Sequence, residues 1–276
     1  MKILVPTDFS EVAGYAIETA ILFAKKLEAE IHLYHSANVP DDWEDLPADV
    51  RYQDELNKNI AIKARSKLQD LQRRIKKEGI ACQYHYTGGK FIQNITEITD
   101  KIDFDLIIMG SHGASGKEEW FMGSNAQKVV RKVRNQIIVV KNQMRTLAFG
   151  DVLFVSGLDQ EDQEAFRKFL DFITPFNVDK VHVMTVDTSA FFSQPAVIIK
   201  SALKDFEQIA EGFDVSTHFY SDYSIDSGVR HFCEDFDIGL VGISNHAKRP
   251  IKRLFVGSNV EMIVNHSKVP VLSIDY

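Results

Sequence analysis

The sequence predicts an α/β protein that contains two copies of an open parallel sheet. Short apolar runs rich in β-branched residues alternate with stretches of helical periodicity, and this alternation runs through all 276 residues. Segments of the second half repeat segments of the first half in the same order. Strands that alternate with helices form parallel sheets with right-handed crossovers and with helices on both faces.

The internal repeat indicates two related domains. Residues 2–5 are echoed 150 positions later in the chain, whereas residues 122–125 are echoed 134 positions later. Because the offset falls along the chain, the second copy must be shorter in its middle. We therefore predict one domain at residues 1–142 and a second at 151–276, joined by a short polar segment.

The first domain opens with a buried strand and an amphipathic helix. Residues 2–7 form an apolar run, and Ser10 is placed to cap a helix whose apolar residues recur at three- and four-residue spacing over 13–27. The next strand is predicted at 30–36. A long, charge-rich stretch of helical periodicity over 50–77 predicts the crossover that follows.

The remaining elements of the first domain complete five strands. Strands are predicted at 81–87, 105–110 and 136–140, with helices near 90–99 and from Ser124 onward. The second half repeats this order. Its first helix is marked by four apolar residues at helical spacing: Phe166, Phe169, Leu170 and Ile173.

The charge balance argues against a nucleic-acid-binding chain. The formal net charge is −7 and the pI is about 5.7, whereas domains that neutralise nucleic-acid phosphates carry a basic face. With 45% hydrophobic residues, the chain has the composition of a globular protein with a substantial core. We expect neither nucleic acid nor a membrane as a partner.

The sequence pattern at the start of the chain and the small number of cysteines predict a cytoplasmic protein. The first residues enter a strand pattern without the features of a signal peptide, and no run reaches the 18 or so apolar residues of a membrane span. Only two cysteines occur, Cys82 and Cys233, too few for a disulfide framework or a cysteine-based zinc site. We expect a cytoplasmic protein whose cysteines are small buried hydrophobic residues.

A glycine pattern follows the fourth predicted strand. It reads Gly110-x2-Gly113-x9-Gly123-Ser124, directly behind the apolar run 105–109. Glycines let backbone N–H groups approach a ligand closely, and the start of the next helix attracts an anion through its unpaired amides. The pattern predicts a phosphate-binding loop. The alternative is that the glycines serve only the turn between strand and helix.

Asp8 follows the first predicted strand and has two interpretations. Ligands of such sheets bind beyond the carboxyl ends of the strands, where the strand order reverses. If the first and fourth strands are neighbours, Asp8 faces the glycine pattern across this crevice and can accept hydrogen bonds from ribose hydroxyls. The second interpretation, held equally, is an additional acid that helps to cap the helix at Ser10.

These residues together resemble the universal stress protein family in its tandem form. The segment Pro6-Thr7-Asp8-Phe9-Ser10, the glycine pattern and Gly123-Ser124 agree with that family in order and spacing. The resemblance implies two tandem Rossmann-like domains of the adenine nucleotide alpha hydrolase-like type. Each would have a five-stranded parallel sheet of order 3-2-1-4-5 with helices on both faces, and the family branch with the glycine pattern binds ATP.

The resemblance also implies a set of nucleotide-binding residues in the first domain. Asp8 matches the acid at the ribose, Ser36 the residue that meets adenine through its backbone, and Met109 and Gly110 positions around adenine and ribose. The glycine loop and the helix start would surround the phosphates. The full set is Pro6, Thr7, Asp8, Ser36, Met109, Gly110, His112, Gly113, Gly123, Ser124 and Asn125.

The spacer of the glycine pattern departs from the family. Lys117 is followed by Glu118, Glu119 and the bulky Trp120. Two carboxylates near a triphosphate would repel it unless they point to solvent or help to hold a divalent cation such as Mg²⁺. We therefore expect ATP, with or without Mg²⁺, as the ligand. Neither a catalytic residue nor a protein-held metal site is predicted, and the lysine of a Walker loop is absent.

The second domain has lost parts of this pattern. An offset of 150 residues places Leu158 where Asp8 stands, and Gly242 is matched with Gly110, so that Asn245 replaces the second glycine. A basic segment over 246–253 then suggests an anion site, whose alternative is a solvated loop of a degenerate domain. The candidate residues of this second site are Gly242, Asn245, Lys248, Arg249, Gly257 and Ser258.

The expected function is that of an ATP-binding stress-response protein with at most weak ATPase activity. An interaction protein without bound nucleotide is the first alternative, and a slow ATP hydrolase is the second. The family resemblance implies that the two domains pair through their last strands, here 137–140 and 269–274, as an internal pseudo-dimer. Whole chains are expected to associate again as a homo-oligomer.

Overall fold

The structure is a computed structural model that describes residues 1–40, 42–111, 124–188, 195–245 and 260–275. The first half contains β1 (Lys2–Pro6), α1 (Glu11–Leu27), β2 (Glu30–Ala37), a 3₁₀ turn (Trp43–Asp45), α2 (Ala48–Gln53), α3 (Glu55–Lys77), β3 (Cys82–Gly88), α4 (Phe91–Lys101), β4 (Leu106–Gly110), α5 (Ser124–Lys132) and β5 (Gln136–Val140).

The second half repeats this succession of elements. It contains β6 (Gly150–Val155), α6 (Gln160–Ile173), β7 (Val178–Asp187), α7 (Ala196–Ile209), β8 (Val215–Ser221), α8 (Ile225–Asp235), β9 (Ile238–Ser244), a helix over 260–266 that we call α9, and β10 (Val271–Ile274). None of the helices in the described ranges is long and apolar enough to cross a bilayer.

The ten strands of the described residues form one continuous sheet of order β3-β2-β1-β4-β5-β10-β9-β6-β7-β8. Neighbouring strands within each half are parallel, so each half has the predicted order 3-2-1-4-5. The halves join where β5 pairs antiparallel with β10, with Ile138 opposite Leu272. The structure thus confirms the fold class and the pairing of the two last strands.

The sequence of α1 shows why this helix lies against the sheet. Ser10 caps it, because the Ser10 Oγ accepts a hydrogen bond from the Ala13 N–H at 3.3 Å. One apolar face of the helix is buried, and Phe23 on that face packs its ring against Phe172 and Phe176 of the second half. The same helix therefore helps to build the first half and to join it to the second.

The middle of the first half differs from its prediction. The stretch 50–77 was expected as one helix, but α2 ends before Asp54, and the Asp54 side chain caps α3 by accepting from the Asn57 N–H at 3.1 Å. The expected shortening of the second half lies between its second and third strands. There β7 ends at Asp187 and β8 begins at Val215, whereas 44 residues separate β2 from β3.

Polar contacts on one face of the sheet also join the halves. Glu261 of α9 accepts hydrogen bonds from the side chains of Gln127 and Arg131 on α5. The ammonium group of Lys141, just after β5, donates to the backbone oxygens of Asn265 and Ser267, where α9 ends. In the ion pair between Arg131 and Glu261, the Glu261 side chain is only 8% exposed, so its carboxylate is shielded from solvent.

Candidate functional site

A cleft of about 270 Å³ opens at the carboxyl ends of β1, β2 and β4. The strand order reverses between β1 and β4, and parallel α/β sheets bind ligands at such a reversal. The cleft brings together predicted residues from four separate segments of the chain. These residues are Pro6, Thr7, Asp8, Ser36, Met109, Gly110 and Asn125.

The rest of the predicted first site lies at or beyond the limits of the described residues. His112, Gly113 and Gly123 fall in 112–123, outside the described ranges. Ser124 is the first residue of α5, and Asn125 in the first turn of that helix lines the cleft. Unpaired N–H groups and the positive end of the helix dipole lie in such a first turn, so this wall of the cleft suits an anion.

Asp8 takes part in a tight turn and also lines the cleft. Its Oδ1 accepts a hydrogen bond from the Ser10 N–H at 3.0 Å, and the Thr7 Oγ1 accepts from the Phe9 N–H at 3.0 Å. Phe9 adopts a left-handed φ of 65°, which completes the turn between β1 and α1. The Asp8 side chain is exposed on the cleft side. The capping and the ribose interpretations are therefore compatible with one another.

Gly110 has a packing role besides its place in the cleft. A Cβ atom on this residue would lie 2.2 Å from the backbone oxygen of Val12 and 2.9 Å from the nitrogen of Ala13. The start of α1 therefore approaches the end of β4 too closely for any side chain at this position. The structural interpretation of the glycine pattern holds for its first member, whether or not a ligand binds.

Two aromatic side chains in the cleft were not predicted as site residues. His35 at the end of β2 donates from Nδ1 to the Thr7 carbonyl at 2.7 Å, because a carbonyl oxygen only accepts. Burial lowers the pKa of His35, so its imidazole is neutral near pH 7 and Nε2 is an acceptor. Phe91 begins α4 and also lines the cleft. The rule that strand ends meet at one edge would have indicated His35, whereas Phe91 belongs to a helix.

No metal-binding cluster of three histidine, cysteine or acidic side chains occurs among the residues that the structure describes. Both cysteines are free, Cys82 in β3 and Cys233 in α8. Burial raises the pKa of the Cys82 thiol to about 11 and that of Cys233 to about 12. Thiols with such values are unreactive near neutral pH.

The turn after β6 corrects the sequence alignment of the second half. The Ser156 N–H donates to the Met184 oxygen as the Thr7 N–H donates to the Tyr34 oxygen, so Ser156 stands where Thr7 stands. Leu158 then matches Phe9, and its φ of 66° agrees with that match. The residue in the place of Asp8 is therefore Gly157, not Leu158 as predicted. The second half lacks a carboxylate at this position.

Gly242 is likewise not the counterpart of Gly110. In β9 it is Ser244 that faces the last strand as Gly110 does in β4, so the predicted match was two residues out of register. Gly242 lies inside the strand, where a Cβ would come within 2.5 Å of the Phe169 ring. Packing against that ring explains this glycine.

Of the other candidate residues of the second anion site, the structure describes only Asn245. The Asn245 side chain donates to the Val130 oxygen on α5 at 2.6 Å, so it links the two halves. Lys248, Arg249, Gly257 and Ser258 lie in 246–259, outside the described residues. The two described candidates, Gly242 and Asn245, therefore serve packing and the contact between the halves.

Comparisons with known proteins agree with this architecture. A universal stress protein of Methanocaldococcus jannaschii is 27% identical over 157 residues, which cover 51% of this chain and 95% of that protein. A second one from the same organism is 30% identical over 140 residues, covering 51% and 81%. The solved structure of a universal stress protein from Archaeoglobus fulgidus has the same fold over both halves, with a TM-score of 0.76 at 20% identity, covering 99% of this chain and 96% of that one.

The family assignment rests on the first half of the chain. The model of the universal stress protein family matches residues 1–141, which hold β1 to β5 and the cleft. The chain belongs to the universal stress protein family.

Proposed function

We propose that this protein binds one ATP in the first-half cleft and acts as a nucleotide-dependent regulatory protein of the stress response. The convergence of Asp8, Ser36, Met109 and the first turn of α5 on one cleft at the strand-order reversal carries the proposal. A cytoplasmic location and association of whole chains are parts of the same proposal.

The walls of the cleft differ in a way that suits the parts of ATP. Met109 and Phe91 provide apolar surface for a base, and Ser36 lies beside them at the end of β2. Asp8 offers carboxylate oxygen atoms to ribose hydroxyls, which are hydrogen-bond donors. The first turn of α5 favours negative charge, so the phosphates would lie on that side.

Binding accounts for the described residues better than hydrolysis does. Among the described lining residues, the ionisable side chains are those of Asp8 and His35. Asp8 already accepts from the Ser10 N–H, and His35 donates to the Thr7 carbonyl. Each group uses one of its hydrogen-bonding atoms, Oδ1 of Asp8 and Nδ1 of His35, to hold the turn in place. Nucleotide occupancy is therefore the proposed signal.

The substitution Asp8→Asn tests the ribose contact. The asparagine oxygen can still accept from the Ser10 N–H, so the turn is kept while the charge is lost. We expect ATP affinity, measured by calorimetry on the full chain, to fall roughly tenfold or more. Wild-type protein should also bind 2′-deoxy-ATP more weakly than ATP, whereas the variant should bind the two alike.

The control is Asp159→Asn, the same chemical change at the N-cap of α6 in the second half. It should leave ATP affinity unchanged. Equal ATP affinity in wild type and Asp8→Asn would reduce Asp8 to a turn residue. Failure of the wild-type chain to bind any adenine nucleotide, together with no nucleotide released from the purified protein in mass spectrometry, would favour the interaction protein instead.

A further inference from the structure

We infer that Asp162 fills the second-half cleft with a built-in carboxylate and thereby confines nucleotide binding to the first half. The inference rests on the proposed function of the first cleft. It concerns the cavity of about 140 Å³ at the carboxyl ends of β6, β7 and β9, which Asp162 lines together with Ser156, Gly157 and Ser244. The first-half cleft, at about 270 Å³, is nearly twice as large.

Asp162 occupies the place that Ala13 has in the first half. Asp159 caps α6 by accepting from the Asp162 N–H at 2.8 Å, as Ser10 caps α1 by accepting from the Ala13 N–H. Ala13 lines the open first cleft with a methyl group. The second half therefore carries a carboxylate at a wall position where the first half has a small apolar side chain.

The Asp162 carboxylate accepts three hydrogen bonds, two from the turn after β6 and one from the end of β9. Its Oδ2 accepts from the Gly157 N–H at 2.6 Å and from the Ser156 hydroxyl at 3.0 Å, and its Oδ1 accepts from the Ser244 hydroxyl. The residue is 2% exposed. Gly157 and Ser244 are the counterparts of Asp8 and Gly110, so the carboxylate lies among the second-half strand ends that correspond to those around the first cleft.

The contact with Ser244 distinguishes Asp162 from an ordinary capping residue. An acid three residues after an N-cap often reaches back to a backbone N–H of the preceding turn, and the bond to Gly157 is of this kind. Ser244 lies on β9, on the other side of the cleft and 82 residues away in sequence. The carboxylate thus spans the cleft from α6 to β9.

A second anion would meet two obstacles at this position. A buried negative charge repels a phosphate strongly, because little water screens the pair. Among the described residues, the donors of Ser156, Gly157 and Ser244 already bind the carboxylate, and hydrogen bonds to charged acceptors are strong. The second cleft is in this sense occupied by part of its own chain.

Two substitutions on the full chain test the inference. Asp162→Ala restores the side chain that the first half has, and Asp162→Asn removes the charge while keeping the shape, which preserves folding should the alanine variant unfold. The probe is inorganic triphosphate, which needs no ribose contact. NMR spectroscopy monitors its binding through the backbone amide resonances of Gly157 and Ser244, which report on the second cleft alone. Asp171→Asn, an exposed acid at the far end of α6, is the matched control.

We expect triphosphate to shift these resonances in at least one Asp162 variant with an affinity roughly tenfold or more above wild type and the control. Equal shifts in wild type would overturn the inference, and so would variants that fold but gain no binding. ATP titrations distinguish a failure of the proposed function from a failure of the inference about Asp162. If wild type binds no ATP while the Asp162 variants gain triphosphate, the proposed function fails and the inference about Asp162 stands.

Discussion

At the scale of single residues, the two halves use one backbone turn for different chemistry. Phe9 and Leu158 have φ angles of 65° and 66°, and each is followed by the N-cap of a helix. Before this residue stands Asp8 in one half and Gly157 in the other. The turn itself is a property of the fold, whereas the side chains placed on it decide what each cleft can hold.

Gly110→Ala should destabilise the protein. The added Cβ would lie 2.2 Å from the Val12 oxygen, so the start of α1 must move away from β4. We expect the free energy of unfolding, from urea denaturation, to fall by about 1–3 kcal/mol. Gly14→Ala in α1 is the control, because a Cβ there has nothing within 4 Å and alanine favours a helix. Similar stability of both variants would contradict the packing role of Gly110.

Local patterns in the sequence revealed Asp8, Ser36 and the end of β4, because each lies at or just beyond the carboxyl end of a predicted strand. The alignment of the second half failed by one residue after β6, where the true offset is one less than the one applied, and by two residues in β9, where Gly242 was matched by residue type instead of strand position. Asp162 was missed for a different reason. Its partner Ser244 is 82 residues away, and no local pattern connects two such positions.

At the scale of elements, each half holds a hydrogen-bonded histidine pair between its second and third strands. The ring nitrogens of His32 and His85 are 2.9 Å apart, and so are those of His182 and His218. Burial lowers the pKa of His32, His85 and His218 below the ordinary value of 6.5. Nearby acids do not reverse this, although Glu30 lies 3.3 Å from His32.

These pairs predict a loss of stability on mild acidification. A histidine whose pKa is lower in the folded state binds protons better when unfolded, so its contribution is complete above pH 6.5 and declines as the pH falls below it. We expect the urea midpoint to decrease between pH 7.5 and 5.5, where most carboxylates stay ionised. The double variant His85→Asn, His218→Asn should show a smaller decrease. A midpoint that is constant or rises on acidification would refute this account.

Lys141 joins the end of β5 to the end of α9. Its ammonium group donates to two backbone oxygens there, and burial lowers its pKa to about 8, so it is mostly charged at pH 7. Lys141→Met should lower the free energy of unfolding by about 1–3 kcal/mol, because both acceptors lose a partner. Lys268→Met, whose side chain is 76% exposed beside Glu234, should change it by less than about 0.5 kcal/mol. Equal changes in the free energy of unfolding for the two variants would show that the buried contacts of Lys141 do not stabilise the protein.

Periodicity predicted the order of elements well, because all strands except the edge strands β3 and β8 are largely buried and the helices between them have one apolar face. It did not predict the break at Asp54. The helical pattern of the sequence runs through both α2 and α3, whereas at the break Asp54 accepts hydrogen bonds from the N–H and the side-chain amide of Asn57. Cap geometry of this kind is weakly encoded in residue type alone.

At the scale of the whole molecule, the two halves share one sheet and should unfold together. Both tryptophans lie in the first half, so their fluorescence reports on that half, whereas far-UV circular dichroism reports on both. We expect the two transitions to coincide in urea. Glu261→Ala, which removes the acceptor of Arg131 and Gln127, should lower both midpoints together, and Glu164→Ala on the surface should lower neither. Two separated transitions would mean that the halves are independent.

The pairing of β5 with β10 is a consequence of the repeat. In a single copy, the last strand would leave an open sheet edge, and such edges seek a partner strand. Here the second copy supplies that strand, and the contacts of Glu261 and Lys141 hold the adjoining helices in place. The duplication was visible in the sequence, whereas the side chains that fix the join were not.

The number of ATP molecules bound per chain is the most direct test of the central claim, which is that one cleft binds nucleotide and the other is closed. Equilibrium dialysis with saturating ATP should give one ATP per wild-type chain, and Asp8→Asn at the same ATP concentration should bind clearly less. Two ATP molecules per wild-type chain would contradict the closed second cleft. A wild-type chain that binds no ATP would contradict nucleotide binding by the first cleft.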